Sequence, residues 1–164
     1  MNYLLNNVTG KASNLKTSFK LERKEQKLIF KFEAFDSYLF SYSNEDNSDL
    51  WRGCVCEVFL DLGDEFYYEF EVAPNGAVFV AKIKDRKITF FKQDFFKASV
   101  RFENNNYFVN MVIDLTKLNN PKHIRYNAFR VETLPNKKEQ NLSALNPTLC
   151  ETFHVREKFI PLDL

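Results

Sequence analysis

The segment FYYEFEVAPNGAVFVAKI, residues 66–83, decides the fold class. Two runs rich in aromatic and β-branched residues, 66–72 and 77–83, flank Pro74-Asn75-Gly76. Proline pre-sets φ for a turn, and Asn and Gly accept positive φ, so the segment predicts a β-hairpin. The pattern recurs on both sides. Thr17 to Glu22 and the run from Leu28 flank a polar KEQK turn, with Leu28, Phe30 and Phe32 alternating against Ile29, Lys31 and Glu33. SVRFE (99–103) and YFVNMVIDL (107–115) flank Asn104-Asn105-Asn106, and IRYNAFRVE (124–132) follows Pro121 as a further strand. Period-two alternation is the mark of a strand with one face inward. Only Lys92 to Lys97, and a single turn at Leu115 to Asn119, read as helical. Many short strands with hairpin turns and no alternating helices predict an all-β fold. The expected form is an antiparallel β-sandwich, jelly-roll-like, with at most one or two short helical turns.

The totals fit one domain over residues 1–164. Apolar residues make up 45% and charged residues 27%, which argues against disorder. The 18 Phe and 7 Tyr against 4 Gly favour strands. A formal net charge of +1 gives no field to steer the chain to nucleic acid or to an anionic membrane. No apolar run approaches the roughly 18 residues of a membrane span. The N-terminus lacks a basic segment followed by an apolar core. With three Cys, an odd number, this makes a cytoplasmic location the expectation. Oligomeric state is left open.

Chemistry concentrates in LWRGCVCEVFLD (50–61), which holds the chain's only Trp, two of its Cys and a Glu. By parity Val55, Glu57, Phe59 and Asp61 share one strand face, and Cys54, Cys56, Val58 and Leu60 the other. The Cys face is apolar and belongs in the core. Glu57 lies between Val55 and Phe59, so its carboxylate needs a partner. Gly53 is expected to bend the chain so that Trp51 folds over the face of Glu57. An indole beside a carboxylate suits a sugar ring, whose C–H face stacks on the aromatic while its hydroxyls bond the polar group. A Trp that caps the core is the plainer alternative.

In IRYNAFRVE, Tyr126, Ala128, Arg130 and Glu132 share one parity, and Arg125, Asn127, Phe129 and Val131 the other. Arg130 can pair with Glu132 at the surface, worth about 0–1 kcal/mol, or fix a carboxylate such as Glu57 with its planar fork. The C-terminal run supplies Cys150 and His154, which with Cys54 and Cys56 make a Cys₃His inventory for zinc. The spacing matches no zinc knuckle, so no metal ligand is assigned and His154 reads as a structural histidine. The acidic loop Asn44 to Asp49 offers oxygens for calcium but lacks the Gly and terminal Glu of an EF-hand. No cofactor is otherwise called for. Glu57 with Glu69 or Glu71 makes carboxylate pairs of the kind glycosidases use, which a Glu-rich sheet also places by chance.

Read together, LWRGCVCEVFLD, FYYEFEVAPNGAV, FVNMVIDLTKL, IRYNAFRVE and NPTLCETFHVREKF occur in the order seen in domains like carbohydrate-binding module family 9. The chain resembles that family from about Leu50 to Leu164. The resemblance implies a jelly-roll sandwich with no catalytic role, gripping a mono- or oligosaccharide. It implies Trp51 as a stacking plate, Glu57, Asn127 and Arg130 as polar contacts or their supports, and His154 at the terminal FH. Members commonly place a second Trp near the NPT turn, where this chain has Leu145. A protein-interaction domain, or a glycoside-processing enzyme, are the rival readings.

Overall fold

A computed structural model describes residues 1–13, 16–35, 38–91 and 94–162. Thirteen strands are formed: β1 (Asn2–Tyr3), β2 (Leu5–Asn6), β3 (Thr17–Lys24), β4 (Lys27–Phe35), β5 (Val55–Asp61), β6 (Tyr67–Val72), β7 (Val78–Lys84), β8 (Lys87–Phe90), β9 (Phe96–Glu103), β10 (Asn106–Asp114), β11 (Arg125–Thr133), β12 (Gln140–Ala144) and β13 (Ile160–Pro161). One sheet runs β1-β3-β4-β10-β9. The other runs β2-β12-β11-β5-β6-β7-β8, with β13 added to β11. Every pairing is antiparallel. The chain crosses between the sheets after β1, β2, β4, β8 and β10, and this gives the sandwich its jelly-roll-like connectivity.

The turn chemistry sets the registers. At Pro74-Asn75-Gly76, Gly76 has φ +89 and donates its N–H to Ala73 O, while Ala73 N–H reaches Ala77 O, both at 2.9 Å. Asn104 and Asn105 both lie at positive φ between paired Glu103 and Asn106, as a two-residue hairpin of right-handed twist requires. Among the described residues the helical content is three single 3₁₀ turns, Leu50–Arg52, Leu115–Leu118 and Arg156–Lys158. The expected turn after Leu115 is therefore present. The other expected helical stretch falls partly on Lys92 and Gln93, outside the described residues; its end, Phe96 and Lys97, opens β9. Among the described residues no helix is long and apolar enough to cross a membrane.

The core has two layers. Between the sheets, Phe30, Phe32, Val109 and Met111 meet Cys56, Val58, Phe70 and Ala128. A second cluster lies on the outer face of the larger sheet, where Leu50, Val55, Phe59, Phe129 and Phe79 are sealed by Phe153 and Phe159 of the C-terminal segment. β5 and β6 are consequently buried along their whole length on both faces. Phe129 and Phe153 stack at 4.2 Å between centroids, and Phe59 meets Phe129 at 4.8 Å. Burial of such rings is worth about 1.5–3 kcal/mol each. This outer layer is what covers the functional side chains.

Candidate functional site

Register brings three carboxylates to one place. Glu57 stands directly opposite Glu71 across β5 and β6, and Phe59 opposite Glu69. All three Glu therefore project from the outer face of the larger sheet. One carboxylate oxygen from each lies within 4.8 Å of the others. Exposure is 2% for Glu57, 6% for Glu69 and 1% for Glu71. Burial, and then the charge of Glu69, holds Glu57 well above the usual carboxylate range. Burial pushes Glu69 up to about 7, against the opposing effect of its hydrogen bond with Glu71. Glu71 is raised well above its ordinary value, by burial first and then by the charges of Glu57 and Glu69. Its Oε2 has no hydrogen-bond partner.

Trp51 stands over this group. It occupies the 3₁₀ turn whose first residue, Leu50, is anchored in the outer core. The turn is fixed from three sides. Gln140 Nε2 donates to Trp51 O at 2.8 Å, Thr133 Oγ1 donates to Gly53 O at 2.9 Å, and Cys54 N–H donates to Phe40 O at 2.7 Å. Gly53 is needed there for close approach rather than for a bend. A Cβ would sit 2.6 Å from Phe40 O and 2.7 Å from Tyr42 N. The indole itself is 47% exposed, and Arg52 lies 5.4 Å from its centroid. Trp51 is thus no core cap.

Two adjoining cavities, of about 440 and about 300 Å³, share Trp51, Glu69, Glu71, Thr152 and His154 in their walls, and the smaller also reaches Glu57. That volume is in the range of small-molecule clefts. His154 lies with its ring stacked on Phe59 at 5.1 Å, and Nδ1 is 2.6 Å from Tyr67 Oη. The structural partner of His154 is therefore the Tyr67 phenol. Burial, aided by the charge of Arg86, lowers its pKa, so the imidazole is neutral at pH 7. Burial raises the Tyr67 phenol well above its ordinary value. In the tautomer where the protonated phenol donates to Nδ1, the proton of the neutral ring sits on Nε2 and can donate to a ligand.

The remaining expected residues lie elsewhere. Asn127 is fully buried; its Oδ1 accepts from Asn146 N–H at 3.0 Å and its Nδ2 donates to Asn146 O at 2.8 Å. It fastens the segment that leads to Phe153 and His154 and does not itself line the cleft. Arg130 pairs opposite Cys56, whereas Phe129 pairs opposite Glu57. Arg130 accordingly points to the inner face, 3% exposed, donating to Val131 O at 2.9 Å with its guanidinium over the Tyr107 ring at 5.2 Å. It does not reach Glu57 as a clamp, and the cleft is not lined by it. In the acidic loop, Asp46 Oδ1 and Asn47 Oδ1 each accept a β7 amide at 2.9 Å, from Val78 and Val80. Among the described residues the Glu triad is the one group placed to share a metal ion, so the Cys and His154 do not converge. The three Cys form no disulfide, and Cys54 and Cys56 are buried. Leu145 packs against the inner core and offers no second plate. Glu69 and Glu71 carry more of the site than their sequence pattern signalled.

No protein-family model matches the chain. It is 36% identical over 70 residues to an "Extracellular protein" of Arthroderma benhamiae, a match covering 40% of this chain and 32% of that relative. The match thus spans about a third of the relative's length. In structure it resembles a protein of Bacteroides uniformis proposed to bind carbohydrate, with a TM-score of 0.81 at 16% identity over 98% of this chain and 84% of that one. It also resembles a carbohydrate-binding module family 9 domain of Caldicellulosiruptor kristjanssonii solved with glucose, with a TM-score of 0.65 at 16% identity over 87% of this chain and 73% of that one. The same module solved with cellotriose gives 0.65 at 15% identity, over 87% and 71%. At these identities the likeness establishes the fold: a sandwich of the carbohydrate-binding family 9 type.

Proposed function

We propose that the cleft under Trp51 binds a mono- or oligosaccharide and leaves it chemically unchanged. The observation that carries this reading is the single exposed indole above a cavity walled by acceptors and one imidazole donor. A pyranose stacks its C–H face on Trp51. Its hydroxyls donate to Glu57, Glu69 and Glu71 and accept from His154 Nε2. A buried acceptor left unpaired costs about 1–3 kcal/mol, so hydroxyls that satisfy Glu71 Oε2 gain accordingly. Asn127 and Arg130 act as supports, Asn127 through the 146–154 segment and Arg130 through the inner face of β11. The similar module solved with glucose and cellotriose lends the reading weight.

Binding is favoured over hydrolysis by the placement of the acids. Glycoside cleavage needs two carboxyls flanking the scissile bond, and here all three lie side by side on adjacent strands. The saccharide reading, with the name of the fungal relative, also favours work outside the cell over the cytoplasmic expectation. Buried Cys54 and Cys56 are shielded from oxidants in either setting. A glycan-array screen of the intact chain, followed by calorimetry on the hits, tests the reading. Trp51→Ala is expected to weaken binding about thirtyfold or more, as truncation of a central aromatic contact does, while leaving the melting temperature close to that of the wild type. Unaltered affinity in that variant, or an array with no hits, overturns it.

A further inference from the structure

Three carboxylates withdrawn from water must be neutralised by protons, by ion pairs or by a metal. None of Glu57, Glu69 and Glu71 has a cationic side chain among the groups that shift it. A proton shared between Glu69 and Glu71 would still leave Glu71 Oε2 without a partner, on a side chain that lines both cavities and is 1% exposed. We propose that Glu57, Glu69 and Glu71 form a binding site for a divalent, oxygen-preferring cation at the floor of the cleft, with calcium the ion that fits. Each residue offers one oxygen, and the three oxygens lie within 4.8 Å of one another. That is inside the roughly 5 Å that two ligands of one calcium ion span at about 2.3–2.6 Å each, and three protein carboxylates suit calcium, whereas magnesium is usually held by one or two. An all-carboxylate set excludes a preference for the softer metals. The positions facing the cavity are left for water. Asp49, also in the wall, adds negative charge, although it is engaged with Arg52 at 3.2 Å; among the described residues Arg86 is the one cation lining the larger cavity. The site is distinct from the acidic loop, whose Asp46 and Asn47 oxygens are held by β7 amides.

The inference does not depend on the saccharide reading, because metal alone is the probe. Chelator-stripped full-length protein is titrated with calcium by calorimetry, and with terbium while exciting Trp51, the only Trp and a wall of the same cavity. A 1:1 calcium isotherm is expected. Sensitised terbium emission that excess calcium displaces is also expected. Glu71→Gln and Glu57→Gln, each checked for folding by circular dichroism, should each weaken affinity about tenfold or more, whereas Asp46→Asn should not. No isotherm at millimolar calcium overturns the proposal. So does binding that survives both Glu variants, which would place the ion elsewhere.

Discussion

Replacing Glu69 by Gln should stabilise the metal-free protein at neutral and alkaline pH. The carboxyl shifts from 4.5 in the unfolded chain to about 7 in the fold. A raised folded value means that the native state holds its proton longer than the unfolded state does. Stability is therefore greatest below about pH 4.5, falls as pH rises to about 7, and is level beyond. One pKa step corresponds to about 1.4 kcal/mol, so ionising Glu69 costs the fold on the order of 3 kcal/mol at pH 8. Gln has nearly the same shape as the protonated acid, carries no charge, and keeps an oxygen that accepts from protonated Glu71. Urea melts of wild type and Glu69→Gln in excess chelator should coincide near pH 4.5. They should separate progressively until the variant is about 3 kcal/mol more stable at pH 8. With a urea slope of about 2 kcal/mol per molar, the midpoint moves by about 1.5 M. A variant that is no more stable than wild type at pH 8 would refute the burial argument for the whole triad.

Gly53→Ala should lower stability by about 1–3 kcal/mol, since the new Cβ meets the backbone of Phe40 and Tyr42; thermal denaturation measures this. Arg156→Met should cost about 1 kcal/mol at pH 7, discounted for the partial exposure of the Arg156–Asp61 pair at 2.6 Å. Burial alone would raise Asp61, but hydrogen bonds from Arg156 and the Gly63 amide outweigh it and depress its pKa. The pair's contribution is therefore present above the ordinary carboxylate value and lost as pH falls through the lower folded one. Melts of the two proteins should converge at acid pH, once Asp61 is protonated in both states.

Hairpins at Asn75-Gly76 and Asn104-Asn105 were legible because a turn that needs positive φ selects its residues. β8 and β12 were not. Lys87–Phe90 is a short, exposed edge strand, and Gln140–Ala144 has no apolar alternation on its first residues. Trp51 and Glu57 were readable as an aromatic beside an acid. The face of Glu57 was not, because parity separates two faces only when one of them meets solvent, and β5 is buried on both. The distant segment carrying Phe153 and Phe159 supplies that second cover. Arg130 misled for a related reason: whether it joins Glu57 depends on the β5–β11 register, which pairs Phe129 with Glu57 and turns Arg130 inward. Nothing local in IRYNAFRVE encodes that offset. Glu69 and Glu71 carry their meaning only once β6 is laid beside β5.

Saccharide binding at this site turns on an indole that receives a sugar ring. Titrating the saccharides that bind by calorimetry while following Trp51 fluorescence tests it directly, because no other Trp contributes. A saturable change in emission with the calorimetric affinity is expected. Saccharides that bind while the emission of Trp51 stays constant would contradict it.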